Sequence, residues 1–205
     1  LSDWSSDVCS SDLDAVLDVH LRGVFHVVRE AFPHMCRADY GRIVLTSSIG
    51  GLYGNHDVAN YGVAKAGVIG LSNVAAIEGA AHNVTSNVIV PAAVTRMAEG
   101  IDTTAYPPMG ADLVAPAVGW LAHESCSITG EMLVAIAGRI ARAYIAETPG
   151  VYRPSWSIED VAAQIDNIRD TAESVVFPVV PDGHNAHIAY SFGMARPFDE
   201  GVTIG

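Results

Sequence analysis

Cysteines and positive charges are scarce in this 205-residue sequence. Its three cysteines are odd in number and have no CxxC spacing, so we expect neither a disulfide framework nor a zinc site. It carries 11 basic residues against 23 acidic ones, for a net charge of −12. That sign is wrong for a partner with a phosphate backbone or for an anionic membrane surface. We therefore expect no bound metal and no nucleic-acid partner.

Long apolar runs are absent as well. No run reaches the roughly 18 residues that span a bilayer, and the N-terminus has no basic region followed by an apolar one. Half of the residues are nevertheless apolar and only 17% are charged, which is enough to build a compact core. We expect a cytoplasmic protein of about one domain, without membrane contact.

The hydrophobic pattern alternates between helices and short buried strands. It predicts an α/β fold, the C-terminal half of a Rossmann-like doubly wound parallel sheet with about three strands. The helices are expected over 14–38, 61–80 and 114–122, and the strands over 42–46, 84–90 and 130–137, the second of them stopped by Pro91. Beyond these, Ser157 and Asp160 form a capping-box-like helix start, and the last thirty residues are expected to be extended.

The segment SSIGGLYGNHDVANYGVAK carries the most specific chemistry. Tyr61 and Lys65 are four residues apart and therefore share one face of a helix. An ammonium beside a phenol stabilises the phenolate and can bring its pKa towards neutrality. Ser48 follows a buried strand, at the edge where parallel sheets place their chemistry. This set predicts proton exchange with an alcohol or carbonyl oxygen, although each residue alone also occurs in such folds by accident.

Four segments in order, GRIVLTSS, GGLYGN, ANYGVAKAGVIGL and SNVIVPAAVTRM, resemble the second half of the short-chain dehydrogenase/reductase family. The resemblance implies that Tyr61 is the general acid/base, that Lys65 supports it and binds the nicotinamide ribose, and that Ser48 orients the substrate carbonyl. VHLRGVF and HESC further resemble the branch that oxidises 3-hydroxyacyl-CoA. The implied cofactor is NAD or NADP, with NAD favoured, and the implied substrate is an acyl-CoA.

Two departures from the family pattern affect the expected site. His20 stands where many members have an Asn that completes a proton relay, so we expect either a relay through its imidazole or a histidine without chemistry. After the second strand the family has Pro-Gly, then Val or Ile and a Thr. Here the cofactor-binding candidates are, besides Tyr61 and Lys65, the residues Pro91, Ala92, Val94 and Thr95.

No glycine-rich turn of the GxxxGxG kind precedes His20, although a dinucleotide pyrophosphate needs one. We therefore expect a truncated catalytic half over 14–145 and a C-terminal extension over 146–205. Residues 3–13, DWSSDVCSSDL, match the translation of a common sequencing adapter, so 1–13 are expected to be a non-native leader.

Two functions stay open at this point. The first is an oxidoreductase fragment acting on a 3-hydroxyacyl-CoA or on another alcohol such as a steroid. The second is an inactive fragment or an oligomerisation scaffold, since helices 14–38 and 61–80 resemble those that form homo-oligomer interfaces in the family.

Overall fold

The computed structural model describes residues 10–96, 100 and 102–195. It divides into two compact units, 1–143 and 144–205. Among the described residues, no helix is long and apolar enough to cross a membrane. Within the same residues, no group of His, Cys, Asp or Glu is arranged to hold a metal ion.

The first unit alternates helices and strands. In chain order its elements are α1 (Ser10–Leu17), a π-helical turn (Asp18–Arg22), α2 (Gly23–Ala38), β1 (Gly41–Thr46), α3 (Ile49–Tyr53), α4 (Ala59–Gly79), β2 (Val84–Ala92), α5 (Ala115–Leu121), β3 (Met132–Ile136) and β4 (Arg139–Ala143). Short 3₁₀ turns lie at Ala80–His82 and Ala111–Leu113.

The sheet has the order β1-β2-β3-β4. β1 pairs parallel with β2, β2 pairs parallel with β3, and β4 returns antiparallel beside β3. Val88, Ile89 and Val90 of β2 are at most 1% exposed, because helices cover both faces of this central strand. The predicted α/β class and Rossmann-like sheet are confirmed, and β1 lies at an edge of the sheet.

Three details of the first unit differ from the prediction. A fourth strand, β4, follows a two-residue turn in which Ala137 and Gly138 both have positive φ, the geometry of a tight hairpin. The short helix α3 forms over the segment IGGLY, where no helix was predicted. β2 continues through Pro91 to Ala92. The nitrogen of Pro91 faces β1, but the β1–β2 pairing ends at Thr46 and Ile89, so the missing N–H of the proline interrupts no hydrogen bond of the sheet.

The helix expected over 14–38 also differs in detail. It starts at Ser10, inside the predicted leader, and a π-helical turn interrupts it, closed by the Gly23 N–H donating to the Asp18 carbonyl. Such single π turns are frequent at functional sites, because they redirect one turn of side chains.

The second unit contains α6 (Ile158–Ile168) and α7 (Gly183–Ala195). The predicted capping box is confirmed: the Asp160 N–H donates to Ser157 Oγ at 3.0 Å, and the Ser157 N–H donates to Asp160 Oδ2 at 3.0 Å. The helix ends at Ile168. The expectation of an extended tail was wrong over Gly183–Ala195, where α7 is anchored by His187 Nε2 at 3.1 Å from Glu147 Oε2.

Candidate active site

Ser48 lies two residues after the end of β1 and is the N-cap of α3. Its Oγ accepts a hydrogen bond of 3.1 Å from the Gly50 N–H, which satisfies one of the free donors at the start of that helix. Since the oxygen is engaged as an acceptor, the hydroxyl proton remains for donation. Ser48 is therefore prepared to donate a hydrogen bond to an oxygen outside the chain.

Two glycines of α3 allow it to approach α4. A Cβ at Gly51 would come within 2.8 Å of both the backbone carbon and the Cβ of Lys65. A Cβ at Gly50 would lie 3.6 Å from Ser48 Oγ and 3.8 Å from the Tyr61 ring. Ser48 and Tyr61 therefore border the same small space, and side chains larger than hydrogen at 50 and 51 would fill it or push the helices apart.

Tyr61 and Lys65 occupy the first turns of α4. Lys65 Nζ lies 5.7 Å from the centroid of the Tyr61 ring and donates a hydrogen bond of 3.0 Å to the Thr46 carbonyl at the end of β1. The predicted proximity of the phenol and the ammonium is thus present. The last residue of β1 therefore holds the ammonium through its backbone carbonyl, and Ser48 follows two residues later.

Lys65 is an unusual residue to bury. It is only 8% exposed, and burial lowers the pKa of its ammonium below the ordinary range for lysine. The cause is loss of hydration, so the fold bears the cost of keeping a cation at this position. A costly buried charge beside a phenol is typical of catalytic sites rather than of structural cores.

His20 lies on the π-helical turn and contacts Tyr61. The two rings meet edge to face with their centroids 5.4 Å apart. Burial, and secondarily the charge of Lys65, lowers the pKa of the His20 imidazole. The imidazole is therefore neutral near pH 7 and keeps one nitrogen as an acceptor and the other as a donor.

The candidate cofactor residues lie at the end of β2 and just beyond it, at the same edge of the sheet. Pro91 and Ala92 complete β2, and Val94 and Thr95 are exposed just beyond it. The Val94 N–H donates to the Met109 carbonyl at 2.7 Å, so this backbone donor is already engaged within the chain. Any contact of Val94 with a cofactor is left to its side chain and its carbonyl.

Sequence reasoning overlooked two contributors and one signal. The Thr46 carbonyl and the buried Ser47 hydroxyl both form hydrogen bonds with Lys65. Thr and Ser are common near the ends of strands, so neither residue was predicted to belong to the site. The signal was composition: Lys65 is the only lysine in the chain, and the ten other basic residues of the Lys/Arg set are arginines. Arginine cannot replace it as a compact, titratable ammonium.

Sheet, strand ends and side chains together define a Rossmann-like α/β protein with an acid–base cluster at the carboxyl edge of its sheet. The sequence profile described as short chain dehydrogenase matches residues 3–105, half of the chain. The chain belongs to the short-chain dehydrogenase family.

Similar proteins agree with this assignment. The chain is 43% identical over 166 residues to the peroxisomal multifunctional enzyme type 2 of Drosophila melanogaster, covering 80% of the chain and 27% of that protein. It is 37% identical over 134 residues to the 3-oxoacyl-[acyl-carrier-protein] reductase FabG of Thermotoga maritima, covering 60% of the chain and 54% of that protein. The solved structure of the full-length Drosophila enzyme superposes with a TM-score of 0.76 at 34% identity, covering 91% of the chain and 35% of that structure.

The chain thus spans only about a quarter to a half of the length of these curated relatives. The profile match begins at residue 3 and so includes most of the predicted leader, whose residues 1–9 lie outside the described part of the structure. That the leader is non-native stays a prediction.

Proposed function

We propose that this chain carries the acid–base half of an oxidoreductase that interconverts a secondary alcohol and a ketone. The observation that carries the proposal is the buried ammonium of Lys65 held beside the Tyr61 phenol at the carboxyl edge of a parallel sheet. Family membership supports the reaction class, because proton exchange at the substrate oxygen is the part of that reaction that these side chains can perform.

Each side chain has a role in the proposed reaction. Tyr61 takes the proton of the alcohol during oxidation and returns it to the carbonyl oxygen during reduction. Lys65 favours the phenolate by its positive charge, and Ser48 donates a hydrogen bond to the same substrate oxygen. Neutral His20, in contact with the Tyr61 ring, accepts or donates the proton as it passes between the phenol and solvent.

The residues present fit the nicotinamide side of a cofactor. Lys65 and Tyr61 lie on α4 beside the end of β1, where such sheets bind nucleotides. Pro91 and Ala92 end the neighbouring strand β2, and Val94 and Thr95 follow it. Members of the family use NAD or NADP, and we propose NAD. When bound, the nicotinamide supplies the hydride acceptor, while the residues named here hold its ribose and carboxamide end.

An acyl-CoA is the substrate we propose, specifically a 3-hydroxyacyl-CoA. Two kinds of relative support this choice: the multifunctional enzymes of peroxisomes and a reductase whose name specifies a 3-oxoacyl group. A steroid or another secondary alcohol is the alternative, since the Ser48–Tyr61 pair recognises only the reacting oxygen.

A homo-oligomer built on the long helices is also proposed. α4 exposes Val63, Val74 and Ile77, and α2 exposes Val27 to 70%. Apolar side chains on the outer face of two adjacent helices are typical of an isologous contact with a second copy. This surface is the specific observation in favour of the scaffold function, and it is compatible with catalysis.

The test replaces Tyr61→Phe, which keeps the ring and removes only the hydroxyl. Because the chain covers 27% of the Drosophila enzyme, turnover is measured in a chimaera in which residues 14–143 replace the matching segment of that enzyme. We expect NAD reduction with a 3-hydroxyacyl-CoA to fall by about 10³-fold, within the range for loss of a general acid/base.

The oligomeric state, measured by light scattering, serves as the control. We expect it to be unchanged by Tyr61→Phe, because the hydroxyl takes no part in the exposed apolar face. An unchanged rate in the variant would exclude the proposed role of Tyr61. A chimaera that assembles but has no turnover even with Tyr61 present would favour the scaffold.

A further inference from the structure

Ser47 is buried between Thr46 and Ser48, next to the site. It is 2% exposed, and its Oγ donates a hydrogen bond of 2.7 Å to the backbone carbonyl of Lys65, 18 residues away. Its own N–H donates to the Ile89 carbonyl of β2 at 2.9 Å. One residue therefore connects β2, the end of β1 and α4.

Lys65 is consequently held at both of its ends by consecutive residues. The Thr46 carbonyl accepts from Nζ at 3.0 Å, and the Ser47 hydroxyl donates to the main-chain carbonyl. Three successive residues at the end of β1 thus act on the site: Thr46 holds the ammonium, Ser47 holds the helix, and Ser48 faces the substrate space. A buried hydroxyl bond of this kind has a fixed length and direction, unlike packing alone.

We propose that Ser47 is a positioning residue for the proposed reaction: by tying the Lys65 main chain to the end of β1, it keeps the ammonium dry and at a fixed distance from the Tyr61 ring. It acts through Lys65 and touches neither substrate nor cofactor. The importance of this position for turnover rests on the proposed function, whereas its effect on Lys65 does not.

The same helix offers a matched control. Ser72 Oγ and Ser86 Oγ are 2.9 Å apart, and both residues are at most 1% exposed. This pair also ties α4 to the sheet through a buried hydroxyl, but it lies about two turns beyond Lys65. Ser72→Ala therefore removes a comparable bond from the same helix without touching the site.

Lys65 can be observed directly because it is the chain's only lysine. In the full chain labelled with [¹³C]lysine, one Cε signal reports the titration of its ammonium, with no cofactor, substrate or turnover required. The titratable groups that face this ammonium are Tyr61 on its own helix and His20 on the π-helical turn. Both are unchanged in every variant compared.

We expect Ser47→Ala to loosen α4 and to admit water to Lys65. The midpoint of the Lys65 titration should therefore rise by about half a pH unit or more, towards that of a hydrated lysine. Ser72→Ala is expected to leave the midpoint of the Lys65 titration unchanged, although it should lower the melting temperature about as much as Ser47→Ala does. An unchanged midpoint in Ser47→Ala, or an equal rise in Ser72→Ala, would overturn the proposal.

Ser47→Cys is the second variant, in case Ser47→Ala does not fold. Its sulfur fills the space of the hydroxyl but donates only weakly, so the same rise in midpoint is expected and its absence counts against the proposal. In the chimaera, Ser47→Ala should lower kcat several-fold and Ser72→Ala should not. A chimaera without turnover would contradict the proposed function, but the titration would still test the effect of Ser47 on Lys65.

Discussion

The two ends of α4 use similar packing devices for different purposes. At the first end the Ser47 hydroxyl donates to the Lys65 carbonyl at 2.7 Å, and Gly51 of α3 allows that helix to approach Lys65. At the second end Ser72 and Ser86 pair at 2.9 Å, and Gly79 allows close contact with Val84. Only the first end buries a charge.

That difference separates function from stability within one helix. Close helix packing and buried hydroxyl bonds occur at both ends, so neither feature identifies a site. The buried ammonium of Lys65, with its lowered pKa, has a free-energy cost that packing alone does not explain. Changes at the first end should therefore affect turnover, and changes at the second end should affect stability alone.

Among the changes that compare the two ends of α4, the largest effect is expected from Lys65→Met. Methionine has a side chain of similar length without a charge, so turnover of the chimaera should fall by at least about 100-fold. The free energy of unfolding of the chain should rise by about 1 kcal/mol, because no cation has to be dehydrated. Denaturant titration and steady-state kinetics measure the two quantities, and a loss of stability together with retained turnover would reverse our interpretation of this end.

Substitutions of two glycines, one at each end of α4, are expected to have effects of intermediate size. A Cβ at Gly79 would lie 2.6 Å from the Val84 carbonyl oxygen, and a Cβ at Gly51 would lie 2.8 Å from the Lys65 backbone. Each alanine variant should lose about 1–3 kcal/mol of unfolding free energy through overpacking. At temperatures where both chimaeras are folded, only Gly51→Ala should lose turnover.

Gly70→Ala is the control for both. Gly70 lies on α4 between the two ends, and a Cβ added there would meet no other atom within 4 Å. Alanine at this position should stabilise the chain by up to about 1 kcal/mol through helix propensity. A loss of turnover in this variant would show that the site senses any change in α4.

The smallest effect concerns pH. Burial and Lys65 lower the pKa of His20, so the folded chain prefers the neutral imidazole. As the pH falls below the ordinary histidine value of about 6.5, the unfolded chain takes up the proton first, and stability is lost until the lower folded pKa is passed. The free energy of unfolding, measured by denaturant titration at pH 7.5 and below pH 6, should fall less in His20→Gln than in the unchanged chain. An identical loss in the variant would mean that other groups cause it.

Much of the first unit could be predicted because its signals are local. Strands β1 to β3 are short apolar runs, and the Tyr61–Lys65 spacing fixes a shared helix face whatever the surroundings. β4 was missed because its hairpin turn uses Ala137, a residue type that seldom adopts positive φ. Ser47 was missed because its importance arises from a partner 18 residues away.

The second unit shows the opposite case. The Ser157–Asp160 capping box is a local device and was predicted, whereas α7 depends on distant contacts. His187 reaches Glu147, and Phe177 packs edge to face on His187 with ring centroids 5.0 Å apart. The segment GHNAHIAYSFGMA has no helical period of apolar residues that would predict α7, so its composition and turn residues favoured an extended tail.

The central claim is that Tyr61 and Lys65 act as one unit, and a double-mutant cycle on turnover tests it most directly. The ratio kcat/KM is measured in the chimaera for Tyr61→Phe, for Lys65→Met and for the two combined. If the ammonium acts through the phenol, the double variant should be about as slow as the slower single variant. Losses that multiply would contradict the account, because the two residues would then contribute independently.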